Sequence, residues 1–335
     1  MRLRFLHDSF VLSAILSILA CSSAKPAAEA APTPPPPPPA PPAEHVPPPA
    51  VEAPEPLKAE DLGVRILSDL GLKTPESVLY DADQDLYFVS NINGSPTGKD
   101  DNGFISKVTP DGVCELKFID GEKKEVKLDA PKGMALAGGL LYVADIDRVR
   151  AFDAKTGEPK PDIVLPGATF VNDVSVGTDG SLYVTDSGLK PDFSPSGTDA
   201  IYKITNGKAK ALLKGKELGN PNGILSDAGG AWVVTHGSGE LYWVSDKGKK
   251  ESAQKLAKGK NDGIIATKEG RILISSWEGS LVLAGKPGSE FVELVSGVEA
   301  PADIGYDSKR NRLLIPLFTK DSLVFHQLDA APKSP

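Results

Sequence analysis

Cysteine, histidine and basic clusters are scarce in this chain, and each scarcity excludes a class of protein. The 335 residues include two cysteines, Cys21 and Cys114, so no disulfide framework holds the fold together. The net charge is −8 and the lysines and arginines form no basic stripe, which excludes a nucleic-acid partner. No Ser–His–Asp order, phosphate-binding loop or haem motif is evident.

A hydrophobic run long enough to span a bilayer is also missing. The apolar run Phe10–Ala20 is too short, so we expect a signal peptide over residues 1–20. Ile18-Leu19-Ala20-Cys21 resembles the bacterial lipobox, which implies lipidation of Cys21 and a membrane contact through that lipid alone. Ser22 implies sorting away from the inner membrane, to the periplasmic or surface face of the outer membrane in the cell envelope. Cleavage by the ordinary signal peptidase at a nearby alanine is the alternative.

The next part of the chain is a proline-rich spacer. Residues 26–56 are nearly half proline, a composition that cannot bury a core and favours an extended polyproline helix. We therefore predict a disordered linker over 21–60, one folded domain over 61–329 and a disordered tail over 330–335.

The folded part contains six copies of one unit: a polar step, a short strand, a tight turn and a second apolar strand. The second strands begin 55, 41, 49, 41 and 41 residues apart, at Leu86, Leu141, Leu182, Ala231, Ile272 and Leu313. A period of about 40 residues with several short strands indicates the blades of a β-propeller. The two long intervals contain insertions, which include residues 93–103 and 188–199.

Each unit continues with a third strand, and most have a fourth. The sixth unit ends before its fourth strand, whereas Val64–Leu70 precedes the first unit as a spare strand. Pairing this spare strand with the last blade removes the exposed sheet edges. The prediction is an all-β, six-bladed propeller of four-stranded antiparallel blades, closed by the N-terminal strand 64–70.

The polar steps predict a ligand site. The first strand of every propeller blade starts at the central channel, so equivalent positions of six repeats form a ring around the axis. Counting back from the second strands gives Glu76, Lys132, Asn172, Asn222, Asp262 and Asp303. Three carboxylates on one axis repel each other unless a cation lies among them. The all-oxygen set favours Ca²⁺ or Mg²⁺ over Zn²⁺; Ca²⁺ is the leading expectation, with Mg²⁺ and Zn²⁺ as alternatives.

Four of the steps carry a family resemblance. They are Pro75-Glu76-Ser77-Val78, Phe170-Val171-Asn172-Asp173, Pro221-Asn222-Gly223-Ile224 and Asn261-Asp262-Gly263-Ile264. In order and spacing they resemble the signature steps of the senescence marker protein (regucalcin), gluconolactonase and luciferin-regenerating enzyme family of six-bladed propellers. The resemblance implies that Glu76, Asn222 and Asp262 bind one divalent cation and that Asn172 contacts the substrate. Lys132 and Asp303 complete the predicted substrate-facing ring.

The chemistry implied by this resemblance is metal-assisted hydrolysis of a lactone or related ester. The cation would polarise the carbonyl and hold a water while Asp262, the predicted catalytic residue, accepts a proton. Three departures from the family pattern bear on this function. Phe170 stands where active sugar lactonases commonly have arginine, and the step after it reads Asn172-Asp173-Val174 rather than Asn-Asp-Gly. Lys132 occupies the ring position of the second blade. A less polar ligand, or a loss of catalysis, would follow from them.

A non-catalytic binding propeller is therefore the alternative function, and Gly133–Asp153 also resembles an NHL repeat. The expected partner is a small molecule at the axis or an envelope protein, and we expect a monomer. His236 ends a second strand, where a turn or interface role is expected. Trp232, Trp243 and Trp277 are expected to pack within blades.

Overall fold

The structure is a computed structural model that describes residues 63–328. The predicted signal peptide, Cys21, the linker and the tail lie outside the described residues. The described part is built from 24 strands, β1 to β24, arranged in six four-stranded sheets. One short 3-10 helix, Lys216–Leu218, lies among them, and none of residues 63–328 belongs to a helix that is long and apolar enough to cross a membrane.

Five of the six blades consist of four consecutive strands, each antiparallel to the next. Blade 1 contains β2 (Pro75–Asp81), β3 (Leu86–Asn91), β4 (Phe104–Val108) and β5 (Cys114–Asp120). Blade 2 contains β6 (Pro131–Ala137), β7 (Leu140–Asp145), β8 (Arg148–Asp153) and β9 (Pro159–Val164). Blade 3 contains β10 (Val171–Val176), β11 (Leu182–Asp186), β12 (Ala200–Thr205) and β13 (Lys208–Lys214).

The remaining blades follow the same plan. Blade 4 contains β14 (Pro221–Asp227), β15 (Gly230–Thr235), β16 (Glu240–Ser245) and β17 (Lys250–Lys255). Blade 5 contains β18 (Asn261–Ala266), β19 (Ile272–Ser276), β20 (Leu281–Gly285) and β21 (Val292–Ser296). Blade 6 contains β22 (Gly305–Asp307), β23 (Arg312–Leu317), β24 (Ser322–Gln327) and β1 (Val64–Leu67).

The predicted closure is confirmed, because the N-terminal strand completes the last blade. β1 runs antiparallel to β24, with Val64 opposite His326 and Leu67 opposite Leu323. It ends at Leu67 rather than at the predicted Leu70. The last blade thereby gains its fourth strand from the beginning of the domain, and the hydrogen bonds between β1 and β24 close the ring.

The hydrophobic core is divided into clusters, and six of them lie between neighbouring blades. At the junction of blades 6 and 1, the ring of Tyr87 packs edge-on against Phe325 with centroids 5.2 Å apart. The buried Tyr87 hydroxyl donates to Asp307 Oδ2 at 2.6 Å, so its polar end is satisfied. Each blade packs against two neighbours, which explains why its strands carry apolar side chains on both faces.

The innermost strand of blades 1 to 5 is bulged at its first residues. The antiparallel register shifts between Pro75 and Ser77 in blade 1, and at the equivalent step of β6, β10, β14 and β18. A bulge turns a side chain out of the regular alternation of a strand. Here it directs the residue after the first strand position toward the axis.

Neighbouring inner strands approach closely just past the bulge. A Cβ atom on Gly133 would overlap Asp173 Oδ1, and one on Gly223 would overlap the Asp262 carbonyl oxygen. Glycine is required at these steps because any side chain would collide with the next blade. Buried hydroxyls satisfy the backbone freed by the bulges: Thr185 Oγ1 accepts from the Asp173 N–H at 3.0 Å.

Candidate active site

A cavity of about 240 Å³ lies at one end of the propeller axis. Its polar side chains at the bulged positions of blades 1 to 5 form what we call the floor: Glu76, Lys132, Asn172, Asn222 and Asp262. Each is at most 5% exposed. The structure therefore brings together five of the six predicted ring residues, including all three predicted cation ligands.

The sixth ring position was predicted one residue too late. Pro301 pairs with Leu317 in the way that Pro75 pairs with Asn91, so Ala302, not Asp303, is equivalent to Glu76. Asp303 forms a bridge with Ser77, the residue after the floor position in blade 1. Its carboxylate lines a second cavity of about 430 Å³, together with Asp173. Asp303 thus lies on the axis but does not line the floor cavity.

Three buried oxygens of the floor have no hydrogen-bond partner. They are Glu76 Oε2, Asn222 Oδ1 and Asp262 Oδ1. Leaving a buried acceptor unpaired costs about 1–3 kcal/mol, and more for a charged group. Three such oxygens in one cavity indicate a place where a cation or a ligand donor completes the structure.

The floor carries an excess of negative charge. Burial, and then repulsion by Asp262 and Asp303, raise the pKa of Glu76 well above its usual range, while Lys132 opposes this rise. Burial and the charge of Asp303 raise the pKa of Asp262 in the same way; the Trp277 indole and the Asn222 amide act against it. Without a cation, these carboxyl groups retain protons at pH values where exposed carboxylates are ionised.

Lys132 is fixed beneath an aromatic ring. Its Nζ donates to the Ala130 carbonyl at 2.8 Å and lies 4.6 Å from the centroid of the Phe170 ring. Burial lowers the pKa of Lys132, and attraction to Glu76 counteracts that shift. The ammonium group therefore supplies positive charge to the floor from a position held by the backbone and by a cation–π contact.

Asn172 is oriented by the neighbouring blade. Its Nδ2 donates to Ser187 Oγ at 3.0 Å, and the Ser187 hydroxyl donates to the Pro221 carbonyl at 2.7 Å. The relay uses the amide N–H and leaves the carboxamide oxygen of Asn172 as a potential ligand contact.

A second set of equivalent positions surrounds the floor, and the sequence analysis did not predict it. The residue after the second strand of a blade forms what we call the wall: Ile92, Ser187, His236, Trp277 and Phe318. His236 lies in the turn after β15, as expected, and also lines the cavity. The expectation for Trp277 was wrong, because it lines the cavity instead of packing within a blade. Each wall residue directly follows the second strand of its blade as the structure has it, and their differing residue types gave no signal in the sequence.

His236 is held against Trp277, with ring centroids 5.9 Å apart. Burial and the nearby charge of Lys260 lower the pKa of His236 to about 4. Its imidazole is therefore neutral at pH 7, and burial makes it a weaker base than an exposed histidine. Trp277 packs against Phe318 at 5.0 Å. Its buried indole N–H is near enough to Asp262 to oppose the rise of that residue's pKa, but it forms no hydrogen bond of regular geometry.

The two insertions recognised in the sequence contribute the mouth of the cavity. Pro96 comes from the insertion in blade 1, and Leu189 and Phe193 come from the one in blade 3. We call these three residues the rim. Phe193 meets Phe170 edge-on, with centroids 6.4 Å apart.

The donor set fits a hard cation. No group of three or more His, Cys, Asp or Glu side chains within residues 63–328 is spaced to hold a metal ion. A cation in this cavity would therefore need the Asn222 carboxamide as well as the carboxylates of Glu76 and Asp262. The three unpaired oxygens supply this combination, and oxygen-only ligation suits Ca²⁺ or Mg²⁺.

Sequence comparison identifies the family. Residues 74–305 match the family described as the SMP-30/Gluconolactonase/LRE-like region, which is well over half of the chain. The chain belongs to this family. The resemblance expected from the four signature steps is confirmed, and the matched region contains the whole floor. No curated protein sequence gives a significant match to the chain.

Several solved structures have the same propeller fold as this chain, at low sequence identity. A gluconolactonase from Xanthomonas campestris is 18% identical, with a TM-score of 0.61 over 81% of this chain and 92% of its own. A streptogramin B lyase is 14% identical, with a TM-score of 0.57 over 79% and 98%. A catalytically inactive variant of the virginiamycin B lyase of Staphylococcus aureus, solved with quinupristin, is 14% identical with a TM-score of 0.52 over 79% and 99%. These likenesses concern the fold alone.

Proposed function

We propose that this propeller is a metal-dependent hydrolase of lactones or related esters. The observation that carries the proposal is the convergence of three unpaired buried oxygens, from Glu76, Asn222 and Asp262, in one axial cavity. They belong to three different blades, and local packing within one blade does not explain why all three lack partners. Membership of the gluconolactonase-containing family supports the reaction class.

Glu76, Asn222 and Asp262 would hold the cation, with Ca²⁺ as the first candidate. When bound, a divalent cation polarises a carbonyl and lowers the pKa of water. It would also offset the negative charge that now raises the pKa values of Glu76 and Asp262.

The reaction adds water across the ester bond of the ring. The water oxygen bonds to the carbonyl carbon, the bond from that carbon to the ring oxygen breaks, and the ring oxygen takes up a proton to become a hydroxyl. The product is a hydroxy acid. Asn172, oriented through Ser187, offers its carboxamide oxygen to a substrate hydroxyl or to the attacking water.

We assign the proton from the attacking water to His236. The sequence prediction gave this task to Asp262, but a carboxylate that binds a cation has its oxygen lone pairs engaged by the metal, whereas the imidazole nitrogens of His236 are left free. His236 lines the same cavity, is neutral at pH 7 and is not one of the three oxygen ligands. Asp262 then acts as a ligand, and the imidazole acts as the proton acceptor.

A non-catalytic binding propeller is the second candidate, and Lys132 favours it. Its buried ammonium group lowers the pKa of Glu76 and so supplies, within the chain, part of the positive charge that a metal would bring. Phe170 covers this lysine and gives the cavity a largely apolar character.

The deciding experiment measures lactone hydrolysis with chelator, with Ca²⁺ and with Mg²⁺. The wild type is compared with Asp262→Asn, which keeps the side-chain shape. The control is Asp227→Asn, at the exposed last residue of β14. We expect activity that needs a cation, is lost in Asp262→Asn and is retained in Asp227→Asn. Hydrolysis that is unchanged by the chelator and by Asp262→Asn would contradict both the metal site and this ligand set. If no lactone is hydrolysed under any condition, the binding function is favoured instead.

The location remains a proposal from the sequence. A lipid on Cys21 would anchor the propeller in the bacterial envelope through a proline-rich tether. We propose that the propeller is a monomer.

A further inference from the structure

Phe193 lies at the mouth of the cavity in a conformation that aromatic residues rarely adopt. Its φ angle is 60°, in the left-handed region, and its side chain is 53% exposed. A bulky residue with positive φ costs free energy unless the surrounding structure fixes it. Asparagine or glycine would satisfy the backbone better, so the aromatic ring needs a reason other than folding.

The surrounding hairpin holds Phe193 in place. The Phe193 N–H donates to the Lys190 carbonyl at 2.8 Å, and the Lys190 N–H donates to the Ser194 carbonyl at 2.9 Å. Asp192 Oδ1 accepts from both the backbone N–H and the hydroxyl of Ser194. At the base of the hairpin, the Ser196 N–H donates to the Gly188 carbonyl at 2.7 Å. The ring is thus presented by a fixed turn.

Two aromatic surfaces line the cavity above the floor. One is formed by Phe193 and Phe170, which meet edge-on. The other is formed by Trp277 and Phe318, with centroids 5.0 Å apart. Ile92 and Leu189 add aliphatic surface to the same lining. The polar side chains of the lining are the five of the floor, where the ester carbonyl would lie, and Ser187 and His236 of the wall.

This division of the cavity disfavours a sugar lactone. A polyhydroxylated ring would place hydroxyl groups against phenyl and indole faces that offer no acceptor or donor, and an unpaired buried hydroxyl is costly. An aromatic or aliphatic substituent would gain contact with the same faces. The Trp277 indole N–H, which is buried and has no hydrogen-bond partner, suits a single ester oxygen.

We infer that the substrate class is a lactone carrying an apolar ring or chain, and that Phe193 is a specificity-determining residue which contacts that apolar part. The inference rests on the proposed hydrolase function and narrows it. Because Phe193 stands on an insertion, its role is separate from the floor that holds the reacting carbonyl.

The test compares kcat/KM for dihydrocoumarin, whose lactone is fused to a benzene ring, with that for D-glucono-1,5-lactone, both in Ca²⁺. We expect the wild type to prefer dihydrocoumarin by about tenfold or more. The variant Phe193→Asn should keep the fold, because asparagine tolerates positive φ. It should raise the KM for dihydrocoumarin about fivefold and leave the KM for gluconolactone within about twofold of wild type. Phe193→Tyr, which keeps an aromatic ring, should have the wild-type KM for dihydrocoumarin. Val113→Ala truncates an exposed apolar residue in the turn before β5 and should leave the KM for both substrates unchanged.

The outcomes separate this inference from the hydrolase proposal. If gluconolactone is hydrolysed at least as well as dihydrocoumarin, the apolar substrate class is wrong while the hydrolase function stands. If the wild type prefers dihydrocoumarin but Phe193→Asn leaves its KM unchanged, Phe193 is not the specificity residue. If neither lactone is hydrolysed with any divalent cation, the hydrolase proposal fails and this inference fails with it.

Discussion

The Ser77 hydroxyl donates a hydrogen bond of 2.5 Å to Asp303 Oδ2 across the junction of the first and last blades. The two residues are 226 positions apart in the chain and meet next to the axis. Burial raises the pKa of Asp303 to about 7, and this hydrogen bond acts in the opposite direction. Asp173, whose pKa is raised well above its usual range by burial and by Asp303, shares the same second cavity.

Stability without a cation should therefore depend on pH through Asp303. Its pKa is about 7 in the fold against 3.8 in the unfolded chain, so the folded state binds more protons between these values. The stability that protonation of Asp303 contributes to the fold is complete below pH 3.8 and is lost as the pH rises through 7. Urea unfolding in chelator should show that wild type loses about 2 kcal/mol relative to Asp303→Asn between about pH 5.5 and 8.5.

The comparison with the variant is essential because His236 acts in the opposite sense. Its pKa falls from 6.5 to about 4 on folding, so the stability that it contributes is lost as the pH falls between these values. Asp153→Asn serves as control, since the Asp153 carboxylate is not buried and its pKa is lowered by backbone N–H groups. Equal pH dependence in wild type and Asp303→Asn would show that Asp303 titrates normally.

Asp262→Asn should change stability in opposite directions with and without a cation. In chelator at neutral pH the variant should be more stable than wild type, because a buried and repelled carboxyl group has been removed. With Ca²⁺ at about 100 times its Kd, wild type should gain about 2.7 kcal/mol, a rise in Tm of about 5–10 °C. The variant should gain little. A Ca²⁺-dependent rise of equal size in both proteins would place the cation elsewhere.

His236→Gln should separate proton transfer from cation binding. Glutamine is neutral and similar in size but does not accept a proton at pH 7, so kcat should fall about 100-fold. The Ca²⁺-dependent rise in Tm should persist, because His236 is not among the three oxygen ligands. His326→Gln is the matched control: burial also lowers the pKa of His326, which lies on β24. A kcat within a few fold of wild type in His236→Gln would return the base role to Asp262.

Cys21→Ser should release the protein from membranes. Wild type expressed in a bacterium that processes lipoproteins should incorporate labelled fatty acid and sediment with the envelope fraction, because a lipidated cysteine anchors it. The variant should carry no label and remain in the soluble fraction. A wild-type protein that is already soluble and unlabelled would indicate ordinary signal peptidase cleavage.

The fold was predictable from the sequence because a propeller repeats its pattern. Turn residues and short apolar strands recur with a nearly constant period, and the strand balance required closure by the N-terminal segment. Five floor residues were also predictable, because each is a polar residue nine or ten positions before the second strand that the sequence pattern indicates. The sixth was misplaced because β23 begins at Arg312, a charged residue that hides the start of the strand.

The wall was harder to predict because its residue types have no common chemistry. Ile92, Ser187, His236, Trp277 and Phe318 are related by position rather than by character, and only the three-dimensional ring shows that they are equivalent. Pairwise effects such as the Lys132–Phe170 contact depend on two blades at once. No local pattern encodes them.

Ala302 is the position of blade 6 that is equivalent to the floor residues of the other five blades, and it carries no polar group. Blades 5, 6 and 1 are consecutive around the axis, so Ala302 stands between the positions of Asp262 and Glu76 with no polar group of its own. The neighbouring backbone is already fixed, since the Ser275 hydroxyl donates to the Ala302 carbonyl at 2.8 Å. Ala302 is fully buried, so a larger side chain at this position would need space from its neighbours. The ring of floor positions is therefore asymmetric: its polar side chains come from five blades, and the sixth contributes only a buried methyl group.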